Sequence, residues 1–187
     1  MLVEVELDLN EPCVIKGADC LDLHIDPRAI ERIEAARRLP ALRTLLELVN
    51  ASDSIFATIS CKTWSTTEPE APEAALFACR FDVIFLCEAT NFGRGPHEDL
   101  AHRLAALLKR EPGDSISAEL RVVPVEFAGE DRGFGLRITL YARGTSEEQA
   151  KLRWALGLAH VQQALLFVAR TLRQSSANSA QTEIHLN

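Results

Sequence analysis

Apolar and acidic residues alternate from the start of the chain. Val3, Glu4, Val5, Glu6, Leu7, Asp8 and Leu9 place every second side chain on one face, the pattern of a strand with one buried side. Leu21, Asp22, Leu23, His24, Ile25 and Asp26 repeat the alternation, and Cys13 to Ile15 reads as a short additional strand before the turn Lys16, Gly17, Ala18 and Asp19. Asp26-Pro27 then starts a helix, because Asp accepts free amide hydrogens of the first turn and Pro is preset at the helical φ. Ile30, Ile33, Leu42, Leu45, Leu46 and Val49 form its apolar side, and Pro40 divides it into two helices.

Residues 54–64 and 75–90 read as long strands joined by a loop rich in Pro and Glu. In the second, Phe77, Cys79, Phe81, Val83, Phe85, Cys87 and Ala89 share one side, which is therefore core. The loop from Asn91 to Pro96 leads into a helix striped by Leu100, Leu104, Leu107 and Leu108, which ends by Pro112-Gly113. A second pair of strands covers 115–127 and 133–143, where Phe134, Leu136, Ile138 and Leu140 alternate with Gly135, Arg137, Thr139 and Tyr141. Pro124 places a sheet edge or bulge in the first of them. Thr145 and Glu148 make a capping box for the longest helix, 146–173, and the Ser- and Asn-rich 175–187 reads as a disordered tail.

Asp53 to Ala57 aligns with Asp114 to Ala118, and Phe77 to Val83 with Phe134 to Leu140, which suggests an internal duplication of strand-strand-helix (ββα) units. The expected fold is α+β, an antiparallel sheet of six or seven strands with helices on one face. It forms one domain over 1–174, divided into 1–50 and repeats at 53–111 and 114–174. The order of hairpins and helices resembles that of secretion chaperones and profilin-like adaptors, a likeness of element order alone.

The last helix has two apolar stripes. At 100° per residue Trp154, Leu158, Val161, Leu165, Val168 and Leu172 fall together as the side facing the sheet. Leu152, Leu156, Ala159, Leu166 and Phe167 fall on nearly the opposite side. A surface helix needs only one such face, so the second is covered either within the chain or by a partner, and a homodimer through this helix is the preferred expectation.

Composition narrows the functions available. Twenty basic against twenty-seven acidic residues give a charge of -7, which repels phosphate backbones and argues against nucleic acid as a partner. No uncharged run reaches the roughly 18 residues of a membrane span, and the start of the chain carries no basic-then-apolar segment, so a cytoplasmic protein without a membrane partner is expected. Five cysteines, at 13, 20, 61, 79 and 87, include no C-x-x-C pair and read as reduced thiols.

Candidate chemistry is sparse. Five histidines show no metal-binding spacing, so neither a metal nor a cofactor is expected; Asp22, His24 and Asp26 would need further ligands to hold a cation. Gly93-Arg94-Gly95-Pro96-His97 is the best anion-site candidate, although it lacks P-loop and dinucleotide-binding spacing. Cys61, Cys79 and Cys87 are expected within strands as inert core thiols. Arg80, Asp82, Arg121, Arg137 and Arg143 are expected on the sheet face opposite the core, as a solvated face or a recognition surface for an acidic segment. The reading that follows is a non-enzymatic interaction protein, a homodimeric adaptor or chaperone-like module. The alternative is a small-molecule-binding protein or modest enzyme whose pocket is lined by Phe81, Phe85, Trp154 and Leu158, with Arg94 and His97 at its mouth.

Overall fold

The structure, a computed structural model, describes residues 1–6, 14–15, 21–68, 71–110, 115–127 and 132–184. The expected features at Cys13, Lys16 to Asp19, Cys20, Pro112-Gly113 and Asp114 lie outside the described residues. The fold is α+β, built on one mixed sheet. Its strands run in the order β1 (Leu2–Glu6), β5 (Ile116–Glu126), β6 (Arg132–Gly144), β4 (Ala71–Phe85) and β3 (Phe56–Glu68), and the two-residue β2 (Val14–Ile15) pairs with the end of β5.

The two hairpins, β3/β4 and β5/β6, are antiparallel and are joined by an antiparallel β4/β6 pair. The sheet is not antiparallel throughout, because β1 and β2 both run parallel to β5. Alternation shows which face of a strand is buried and says nothing of the direction of its neighbour. Nor is a repeated ββα unit shown. The first hairpin has a register shift between Thr58 and Ser60 and is followed by an extra short helix, α3 (Glu88–Asn91), before α4 (Arg94–Leu108).

On one face of the sheet Val3, Ala118, Leu120, Ile138, Leu140, Cys79 and Phe81 are buried under the helices. α5 (Glu147–Ile184) contacts β4, β5 and β6 and is flanked by α2 (Pro40–Val49) on one side and α4 on the other. Its helical backbone continues to Ile184, past the expected boundary at 174. Gly157 lies where α5 crosses the sheet; a Cβ there would come within 2.7 Å of Ile116 Cγ2.

The segment 21–26 forms a turn rather than a strand. Asp22 Oδ1 accepts hydrogen bonds from the N–H groups of His24 and Ile25, and Asp26 Oδ1 accepts from the N–H of Arg28, opening a 3-10 turn over Pro27–Arg32. Short polar side chains that bond their own backbone compete with the ladder here. Both carboxylates are thereby engaged with backbone amides. A helix α1 (Glu34–Arg38) follows, and Pro40 begins α2 as the sequence implied.

Two buried asparagines hold element ends in place. Asn50 Nδ2 donates to Leu46 O at 2.7 Å and to Thr58 Oγ1 at 2.8 Å, while its Oδ1 accepts from Thr58 N–H at 2.9 Å, tying the end of α2 to the register shift in β3. Asn91 accepts from Phe85 N–H at 2.9 Å and donates to Phe85 O at 2.8 Å, in the manner of a neighbouring strand. β4 therefore stops at Phe85. The expected continuation through Cys87 and Ala89 is replaced by α3, and both residues are exposed.

Candidate functional site

The two stripes of α5 have different fates. Trp154, Leu158, Val161, Leu165 and Val168 are buried against the sheet and Leu172 is half-buried, as expected of the core face. On the outer side Leu152 is 73% exposed, Leu156 54% and Phe167 58%, with Ala159 exposed and Leu166 half-buried. The spacing from 152 to 167 gives a ridge about 22 Å long at the helical rise. Beside it, Leu107, Arg110, Gln163, Ala164, Leu166 and Phe167 line a groove of about 550 Å³ between α4 and α5. The sequence reading placed Leu107 only in a core stripe and passed over Arg110 and Gln163; i, i+4 spacing shows a helix face but not which neighbour it abuts.

α5 over Glu147–Ser175 is also long and apolar enough to cross a membrane by length and composition. Here its inner stripe is the centre of the core.

Phe81, Trp154 and Leu158 are packed core residues, and Trp154 meets Phe77 edge-on with ring centroids 5.0 Å apart. His97 does not stand at a mouth. It is fully buried with its ring edge-on to Phe85 at 5.1 Å, and among the described residues neither ring nitrogen has a hydrogen-bond partner. Burial lowers its pKa to about 4, so the ring is neutral. Arg94 opens α4 and pairs with Glu98 at 2.8 Å, so its charge is already partnered. Gly93 is an extended N-cap with φ of -97° and makes no side-chain cap bond.

Phe85, one of the five predicted ligand-binding residues, lines a cavity. This cavity, about 510 Å³, lies at the end of β4 between α4 and α5, with Ile55, Leu86, Leu100 and Leu172 as apolar walls and Arg103 and Arg173 at the rim. Arg103 pairs with Asp99 at 2.8 Å and Arg173 donates to Asp53 O at 2.8 Å, so neither offers an unengaged charge. The large side chains of the sequence pattern went to fill the core, and the cavity formed where element ends meet.

The thiols divide by environment. Burial pushes Cys61 and Cys79 up to about 12, with the charge of Asp82 adding to the effect on Cys61. Cys87 was expected in the core beside them. It is exposed at the start of α3, where hydrogen bonds from the Thr90 side chain and backbone hold its thiol pKa below the usual value. Among the described residues no group of three or more His, Cys, Asp or Glu side chains is placed to hold a metal ion.

The open face of the sheet is less uniformly solvated than expected. Arg137 Nε donates to Asp82 Oδ1 at 2.8 Å with both side chains buried, and the Ser60 hydroxyl donates to the same carboxylate. Arg121 pairs with Glu119, and Tyr141 O–H donates to Glu119 at 3.4 Å. No family model, curated protein or solved structure matches the chain.

Proposed function

We propose that this protein is a non-enzymatic interaction module of the cytoplasm that forms a homodimer through the outer stripe of α5, serving as an adaptor or chaperone-like subunit. One observation carries the reading: Leu152, Leu156 and Phe167 stand exposed on one ridge, with Ala159 between them. Burying such side chains is worth roughly 1.5–3 kcal/mol each, so a continuous ridge of three is a strong incentive to associate. Ala159 near its centre lets a second helix approach closely. In an antiparallel pair about that point, Leu152 of one copy meets Phe167 of the other, which is the geometry of a two-fold contact.

Sedimentation velocity of the purified chain and of Leu156→Glu, both at about 500 mM salt so that charge contacts are screened, tests the proposal. A dimer that the substitution converts to a folded monomer supports it; a monomeric wild-type chain at high micromolar concentration refutes it. The cavity at the end of β4 supports a second reading, a small-molecule-binding protein. A non-covalent mass of a few hundred daltons retained on the native protein, and lost in Leu100→Trp, would favour it.

A further inference from the structure

The sheet face turned away from the helices carries charges in an ordered pattern. Strand register lets each row be read straight across the sheet. One row holds Glu4 on β1, Glu119 on β5, Thr139 on β6, Arg80 on β4 and Lys62 on β3. It is acidic on one side of β6 and basic on the other. The next row holds Leu2, Ser117, Tyr141, Ala78 and Trp64. A third places Arg121 on β5, Arg137 on β6, Asp82 on β4 and Ser60 on β3.

Within one copy the first row sets Glu4 next to Glu119, which Arg121 partners, and Lys62 opposite Arg80, so an opposite charge from outside would relieve Glu4 and Lys62. The apolar row is unfinished as well. Leu2 is 62% exposed, and it borders a depression of about 310 Å³ shared with Glu4, Leu76, Tyr141 and Arg143. Trp64, packed edge-on to Tyr141 at 6.2 Å, stands on the other side of the same row.

We propose that this face pairs with the same face of a second copy about a two-fold axis running along β6. Such an axis keeps each row level with itself and exchanges its two sides. Lys62 then faces Glu4 of the second copy, Arg80 faces Glu119, and Trp64 covers Leu2 beside the depression. A two-fold axis across the strands would instead set the acidic half against itself. Packing two sheets with their strands nearly aligned is the common arrangement for sheet faces. Arg143, exposed near the axis, opposes the contact, and Arg137 does so less because Asp82 neutralises it. The association is therefore weak and sensitive to salt. It lies on the opposite side of the molecule from the α5 ridge, so both contacts form at once and link dimers into larger assemblies.

The Leu156→Glu chain, in which the ridge contact is disabled, isolates this contact. Sedimentation velocity at about 30 mM and about 500 mM salt is expected to show a dimer at low salt that dissociates at high salt. Lys62→Glu added to that chain raises the dissociation constant roughly tenfold, since the isologous contact loses two pairs at once. Adding Glu4→Lys restores it, and Trp64→Ala weakens it independently of salt. A Leu156→Glu chain that stays monomeric at low salt, or that associates regardless of residue 62, overturns the proposal. Failure of the ridge reading looks different: the wild-type chain would then itself dimerise only at low salt.

Discussion

Replacing Asp82 by Ala should be among the most damaging single changes in this fold, although the residue lies on the sheet face away from the helices. The Asp82 side chain is 1% exposed and that of Arg137 7%, and the pair is held by contacts of 2.8 and 3.5 Å with the Ser60 hydroxyl on the same carboxylate. Removing the carboxylate takes away the counter-charge that Arg137 Nε meets at 2.8 Å, and breaking such a buried pair costs about 3–5 kcal/mol. Against a typical total of about 5–15 kcal/mol that is a large share of the stability. Replacing both partners behaves differently, because the two charges of the pair are removed together. Asp82→Leu with Arg137→Met should return to within about 1 kcal/mol of the wild type or exceed it. Urea unfolding followed by Trp fluorescence and far-UV circular dichroism gives both numbers, provided the slope of the transition is unchanged. A loss below about 1 kcal/mol in Asp82→Ala would mean that Arg137 reaches water in the variant, and the argument from burial would fail.

Further outcomes follow from other parts of the fold. Gly157→Ala should destabilise the protein by about 1–2 kcal/mol in the same urea assay, because overpacking against Ile116 outweighs the gain in helix propensity; a stabilised variant would show that α5 shifts without cost. Under mild thiol labelling mapped by mass, Cys87 should react well before Cys61 and Cys79, whose thiols are held at about 12 by burial, and equal rates among the three would contradict that order. His97 has a folded-state pKa near 4 against an ordinary 6.5, so the unfolded chain binds the extra proton between these values. Its contribution to stability is complete above about pH 6.5 and is lost as the pH falls towards 4; urea midpoints over that window should drop less in His97→Leu than in the wild type.

The charge pattern across the open face shows how far local reading reaches. Arg80, Asp82, Arg121, Arg137 and Arg143 are assigned to that face by alternation alone, correctly, since the side-chain period of a strand is independent of its neighbours. Which of them pair, and which are buried, depends on strands brought together across 55 residues, as Asp82 and Arg137 are. Cys87 illustrates the opposite failure. Its place in the alternation is sound, but Asn91 ends the ladder two residues earlier by taking both backbone groups of Phe85. Phe81 and Trp154 are consumed by close packing, while the cavity that Phe85 lines lies where packed elements diverge.

By itself the sequence determined the hairpins, the helices, the start of α2 at Pro40 and the two-striped character of α5. Each rests on periodicity or on a capping residue acting within a few positions. Only the tertiary structure decided that β1 runs parallel beside β5, that residues 21–26 turn rather than extend, and that the outer stripe of α5 is left uncovered between its neighbours. Those outcomes depend on which distant surfaces meet, and the free energy of that meeting comes from shared burial and hydrogen bonds across the fold rather than from any one segment.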